Sequence, residues 1–285
     1  MDIQEREFTK KLKALTLRAR HDYPGQKIGE RLVKRSGGSV EFKDFKEYEP
    51  GDDIRFIDWN LWARLDKLFI KLFHNEENQH VSILLDCSRS MLYGNKWNYA
   101  LQIAAAISYI TLEQEDALHL NLFNRSLLPG YIEGSNPAHY SRIANALAEI
   151  TPDQESNIED SVELYSKSTL QKGMLFIISD FLYPDTQIST ALKKLQWMGF
   201  ETSMFQVLCD EEIMPSFQGP VELMDLETRK RMELSVTKEL LLEYQKTCQE
   251  HLSTVEKLAR KHGMHYALAM SSESFDHFIL RQLAR

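Results

Sequence analysis

The sequence predicts an α/β fold: a doubly wound, mostly parallel sheet flanked by helices, with a small N-terminal helix-plus-strand subdomain. Two apolar runs, residues 81–85 and 173–178, lead to this reading, since strands covered on both faces are rich in such aliphatic side chains. From His80 onward strand-patterned and helix-patterned segments alternate, as in a parallel sheet with helices on both faces. Each run closes in aspartate, Asp86 and Asp180, and open α/β sheets bind ligands beyond the carboxyl ends of their strands.

Residues 4–22 are expected to form an opening helix with Phe8, Leu12, Leu15 and Ala19 on one stripe, stopped by Pro24-Gly25. Over 41–73, apolar and charged side chains alternate in short pieces broken by Pro50-Gly51, which predicts a strand-rich subdomain. The expected domains are therefore 1–76 and 77–285. In the second, a helix is expected over 95–115 with Ala100, Ile103, Ala104, Ile107 and Thr111 on one side, then a strand over 118–123. Helices over 141–150, 158–165 and 188–198 and a strand over 203–208 follow. Segments 221–226 and 231–236 read as an inserted hairpin, of the kind that carries partner contacts. Leu241, Tyr244, Cys248, Leu252, Val255 and Ala259 mark one face of a long helix ending near His262-Gly263, and 265–270 is the closing strand.

Asp86, Ser88 and Ser90 place a carboxylate and two hydroxyls at alternate positions of the loop leaving the first run. Such hard oxygen donors suit magnesium, which takes near-octahedral oxygen coordination and keeps waters or a partner's carboxylate in its shell. Asp180, at the matching end of the second run, faces the same cation in this reading. The competing reading is that both aspartates cap helices that follow strands. Asp86 also suggests a phosphoryl-transfer nucleophile, but Ser88 stands where such enzymes place a second acid. Gly94-Asn95-Lys96 lacks the preceding glycine of a phosphate-binding loop.

The pattern Asp86-x-Ser88-x-Ser90, a later hydroxyl loop and Asp180 resembles the metal-ion-dependent adhesion site of von Willebrand factor A domains. The stretch EFKDFKEYEPGDDIRFIDW at 41–59, followed by Ala63-Arg64, resembles the signature of the bacterial DUF58 family. Together these cover nearly the whole chain. The resemblance implies a cytoplasmic protein with a von Willebrand factor A-like domain and a MoxR-type AAA+ ATPase as partner. It implies Mg2+, or Mn2+ in its place, held by Asp86, Ser88, Ser90, Ser156 and Asp180. Relatives place a threonine after glycines in the middle loop; Glu155-Ser156-Asn157-Ile158 stands there, so Ser156 supplies the hydroxyl, with Asn157 as the alternative. The implied activity is non-enzymatic: an adaptor whose ion accepts an Asp or Glu from a partner protein. The alternatives are a metal-dependent phosphoesterase using the same cleft and a metal-free scaffold that binds through the basic first helix.

A net charge of -8 argues against nucleic acid as a partner, since phosphate recognition needs a basic face. Residues 1–40 nonetheless hold ten Lys or Arg against five acids, which suits an acidic partner, a peripheral membrane contact, or pairing with the protein's own acidic body. The opposite charges of Gly51-Asp52-Asp53-Ile54-Arg55 read as an ion-pair network or a docking surface, and Trp59 and Trp62 as core anchors or an exposed hot spot. Three cysteines without CxxC spacing, Cys87, Cys209 and Cys248, suggest neither a disulfide framework nor a zinc ribbon and fit a reducing compartment. The first residues lack the apolar core of a signal peptide, and no window reaches the length of a spanning helix.

Overall fold

The computed structural model describes residues 3, 6–22, 42–49, 54, 57–65, 67–73, 79–130, 132–168, 172–226 and 229–283. Helix α1 (Arg6–Asp22) is followed by β1 (Phe42–Glu47), α2 (Trp59–Leu65) and β2 (Phe69–Phe73). Next come β3 (His80–Asp86), α3 (Lys96–Glu113), β4 (Ala117–Phe123), β5 (Ile132–Gly134), α4 (Tyr140–Ala148) and α5 (Ile158–Ser168). The chain continues through β6 (Met174–Ser179), α6 (Asp185–Met198), β7 (Glu201–Leu208), α7 (Asp210–Ile213), β8 (Gly219–Met224) and β9 (Arg231–Val236). It closes with α8 (Lys238–Lys261), β10 (His265–Met270) and α9 (Phe275–Leu283).

Six strands form one mixed sheet in the order β10-β7-β6-β3-β4-β5, parallel throughout except for the β4–β5 pair. The chain moves outward from β3 through β4 and β5, then returns to lay β6 on the other side of β3. The carboxyl ends of β3 and β6 therefore flank the point where the winding reverses, which is where a crevice opens in such sheets. Successive side chains of a strand point to opposite faces, and both faces are filled. Val81, Ile83, Leu85, Phe176 and Ile178 pack into one apolar cluster with residues of α1, α3, α4 and α9. Leu84, Leu175 and Ile177 pack into another with residues of α5, α6 and α8.

Contacts divide the chain into two compact units, Arg35–Asn78 and the remainder. The expected division at residue 76 is corrected in one respect: α1 belongs with the large unit. Its stripe of Phe8, Leu12 and Leu15 is buried there, with the Phe8 ring centroid 4.8 Å from that of Phe275 in α9. An isolated amphipathic helix gains most by covering a large apolar face, and a two-stranded ribbon offers little. In the small unit β1 and β2 pair antiparallel, as the strand reading expects. Between them α2 forms, which that reading missed: Asp58 Oδ1 accepts the Asn60 and Leu61 amides at 2.9 and 3.1 Å and caps the helix start. Trp59 and Trp62 lie exposed on it. The Gly51–Arg55 ion-pair network falls outside the described residues apart from Ile54, as do Lys27, Arg31, Lys34 and Arg35 of the basic stretch in residues 1–40.

Two further expectations change. Helix α3 is not one-sided: every residue from Tyr99 to Leu112 is buried, because the small Ala104-Ala105-Ala106 run lets neighbours close in all round. Conversely, α8 buries only Val255 and Ala259 of its expected stripe, while Tyr244 stays exposed beside a cleft. A hairpin forms from Gly219↔Val236 to Met224↔Arg231, with its first strand two residues earlier than the expected 221–226. Strand β5 and helix α9 had no sequence signal strong enough to be assigned. Among the described residues no helix is long and apolar enough to cross a membrane.

Candidate metal centre

Strand β3 carries Asp86 into full burial. Its Oδ1 accepts the Ser88 amide at 2.9 Å, turning the chain so that Ser88 Oγ and Ser90 Oγ stand 3.1 Å apart. Ser88 is buried, and Ser90 is half-buried. The middle loop is tied to this turn through its backbone, with the Arg89 amide donating to Gln154 O and the Asp153 amide to Cys87 O, both at 2.9 Å. That places Ser156 Oγ 3.3 Å from each oxygen of Asp86. Asn157 is occupied elsewhere: its Oδ1 accepts the Asp160 amide and its Nδ2 donates to Asp160 Oδ2, at the start of α5.

Sequence reasoning missed four residues here. Tyr183 donates to Asp86 Oδ2 at 2.5 Å, Ser179 Oγ donates to the same oxygen at 2.7 Å, and the Tyr183 and Ser156 oxygens are 2.7 Å apart. Phe181, buried and with φ 52, bends the chain sharply after Asp180 and returns Tyr183 towards β3. A left-handed conformation at a bulky residue costs on the order of 1–3 kcal/mol and persists only where its surroundings enforce it. Here the Phe181 amide donates to Ser179 Oγ at 3.0 Å, while His251 and Gln206 bind the carbonyls of Phe181 and Asp180 at 2.9 and 2.8 Å.

Lys96 and Glu212 are the other two. The fully buried Lys96 ammonium lies 2.9 Å from Asp180 Oδ2 and 2.6 Å from Glu212 Oε1. Gly94 makes this approach possible: its φ is 57, and a Cβ there would stand 2.9 Å from Cys209 Cβ. Glu212 is held in turn by the Cys209 amide at 3.0 Å. Lysine at the start of a helix carries no periodic signal, so only proximity reveals it.

The electrostatics follow from burial and charge. Burial first, then the charge of Asp180, raises the Asp86 carboxyl above its ordinary pKa, against the lowering effect of bonds from Tyr183, Ser179 and Ser88. Burial and the same two aspartates hold the Tyr183 phenol well above its ordinary value, so it remains a donor. Burial alone would lower the Lys96 ammonium, but Asp180 and Glu212 outweigh it and its pKa is raised. Cys87, next to Asp86, is pushed up to about 12 by burial and by that charge, which keeps it a thiol rather than a reactive thiolate.

The donors suit a small hard cation. Adjacent vertices of an octahedron with bonds of about 2.1 Å lie about 3 Å apart, and the 3.1 and 3.3 Å oxygen separations among Ser88, Ser90, Ser156 and Asp86 match that spacing. Asp180 and Glu212 share the one ammonium of Lys96, and the Asp86 carboxyl feels the charge of Asp180, a negative excess that a cation would relieve. Among the described residues no three His, Cys, Asp or Glu side chains gather as a metal-holding group, so a cation here would rest on the serine hydroxyls. Ser90, Ser156 and Asp180 open onto a cleft of about 960 Å³, walled by Leu223 and Met232 of the hairpin and Leu241 and Tyr244 of α8.

Residues 44–254 match the family described as "Protein of unknown function DUF58". The chain belongs to the DUF58 family. This DUF58 protein is 22% identical over 278 residues to proteins of Mycobacterium tuberculosis and Mycobacterium bovis described as uncharacterized, covering 92% of its own length and 84% of theirs. Among solved structures, the DUF58 chain is similar to the conserved hypothetical protein BatB from Bacteroides thetaiotaomicron, at a TM-score of 0.47 and 17% identity over 73% of this chain and 98% of that one. It is also similar to an aerotolerance-related membrane protein from Bacteroides fragilis, at 0.47 and 14% over 72% and 98%. These likenesses assign the DUF58 chain no activity.

Proposed function

We propose that this DUF58 protein is a non-enzymatic adaptor of the von Willebrand factor A type, docking a partner protein through a magnesium-dependent site. The observation that carries the reading is the gathering of Asp86, Ser88, Ser90, Ser156 and Asp180 where β3 and β6 part, at the head of an open cleft. The reversal of strand order between β3 and β6 supports the doubly wound assignment.

Those five residues would hold the ion. When bound, magnesium, or manganese in its place, supplies a coordination position that takes an Asp or Glu carboxylate from the partner. The serine hydroxyls add no charge that would weaken that position. Tyr183, Ser179 and the Ser88 amide orient Asp86 for that role. Resemblance suggests a MoxR-type AAA+ ATPase as the partner, and three free thiols accord with the reducing cytoplasm.

Isothermal titration of magnesium and manganese into wild type and Asp86→Ala tests the reading. Saturable binding that the substitution abolishes is the expected result, together with chelator-sensitive capture of a MoxR-type ATPase. Absence of binding in wild type, or metal-stimulated phosphoester turnover lost in Asp86→Ala, would overturn it.

A further inference from the structure

Lys96 has no place in the docking scheme, yet it is fully buried at the centre of the site and touches one of the proposed ligands. Its ammonium is shared between two carboxylates with different surroundings. Both line the cleft, but Asp180 directly follows β6 and belongs to the proposed ligand set, whereas Glu212 stands on α7 and does not. Resting on the metal-docking reading, we infer that Lys96 is a tethered cation that competes with the metal for Asp180, and that Glu212 is its alternative partner.

The argument begins with charge. An ammonium 2.9 Å from Asp180 already neutralises much of that carboxylate, and a second cation on the same group meets like-charge repulsion in a poorly screened interior. Metal loading therefore favours movement of the ammonium off Asp180. Lysine can make that movement, since it carries a compact charge on a flexible four-carbon stem with three rotatable donors. A destination is already in contact, because Glu212 Oε1 is 2.6 Å away, nearer than Asp180. The other Glu212 oxygen is anchored by the Cys209 amide, so this second partner is itself held in place.

Two consequences follow. The isolated chain holds divalent ions more weakly than its oxygen donors alone would allow. An occupant of the cleft that contacts Glu212 shifts Lys96 between its partners and so changes metal affinity, and by linkage the metal changes the occupant's affinity by the same factor.

Magnesium titrations of wild type, Lys96→Gln and Glu212→Gln, each paired with thermal unfolding, test this. Lys96→Gln is expected to tighten the magnesium dissociation constant by about tenfold, and Glu212→Gln, which leaves Lys96 to Asp180 alone, to weaken it by about fivefold. A purely structural triad would lower the melting temperature of both variants and leave both constants within twofold of wild type. That result, with wild-type binding still lost in Asp86→Ala, overturns this inference and leaves the docking reading standing. Should Lys96→Gln fail to fold, Glu212→Gln decides by the same criterion. Absence of binding in all three proteins overturns the docking reading and this inference with it.

Discussion

The Tyr183 phenol donates to Asp86 Oδ2 at 2.5 Å, across 97 positions of sequence, and so joins the loop after β6 to the end of β3. These are the two strand ends between which the sheet order reverses. The bond therefore fixes the geometry of the candidate site independently of any bound ion.

Tyr183→Phe removes one donor from a buried carboxylate while keeping the ring. The expected loss of folding stability is about 1.5–3 kcal/mol, the worth of one hydrogen bond to a charged group, with Ser179 still donating to the same oxygen, read from urea unfolding. In an Asp86→Asn background the same change should cost less, because the charged partner is already gone, and equal costs in the two backgrounds would refute the coupling.

Asp153 provides the pH dependence. The Gln154 amide, then the Arg89 guanidinium, hold its carboxyl below the ordinary value. Since the folded pKa is the lower one, the native state binds fewer protons between the two values. The contribution is present above the unfolded pKa of ~3.9 and is lost as pH falls through the folded one. A carboxyl-detected NMR titration should place Asp153 below a normal aspartate, and Arg89→Ala should move it back up. An unchanged midpoint in Arg89→Ala would remove the guanidinium from the explanation.

Gly173 immediately precedes β6, where the backbone passes very close to β3: an added Cβ would lie 2.1 Å from the His80 carbonyl oxygen. Backbone cannot yield as a flexible side chain can, so Gly173→Ala should destabilise by about 3 kcal/mol or more. A loss under about 0.5 kcal/mol, the range of neutral surface changes, would show that the two strands separate easily.

Parts of this architecture are legible without coordinates because their signals are local. The continuous apolar runs of β3 and β6 admit few readings other than buried strands, and an aspartate closing each run marks a strand end. Ser88 and Ser90 are found the same way, two and four residues beyond Asp86. The α1 stripe is equally plain, but its packing surface is not, since the pattern shows that Phe8, Leu12 and Leu15 need cover and says nothing of which unit provides it. The first half of α8 misleads for the same reason: its apolar spacing promises burial, yet Tyr244 faces an open cleft.

Sequence by itself determined the α/β class, the succession of strands along the chain apart from β5, and the residues at the ends of β3 and β6, because side-chain periodicity and strand termini are properties of a few consecutive residues. The tertiary structure alone decided which charges meet there. Lys96 reaches Glu212 across 116 positions and Asp180 across 84. Such pairing depends on through-space distance in a buried, weakly screened interior, and that distance exists only once β6 has been laid beside β3.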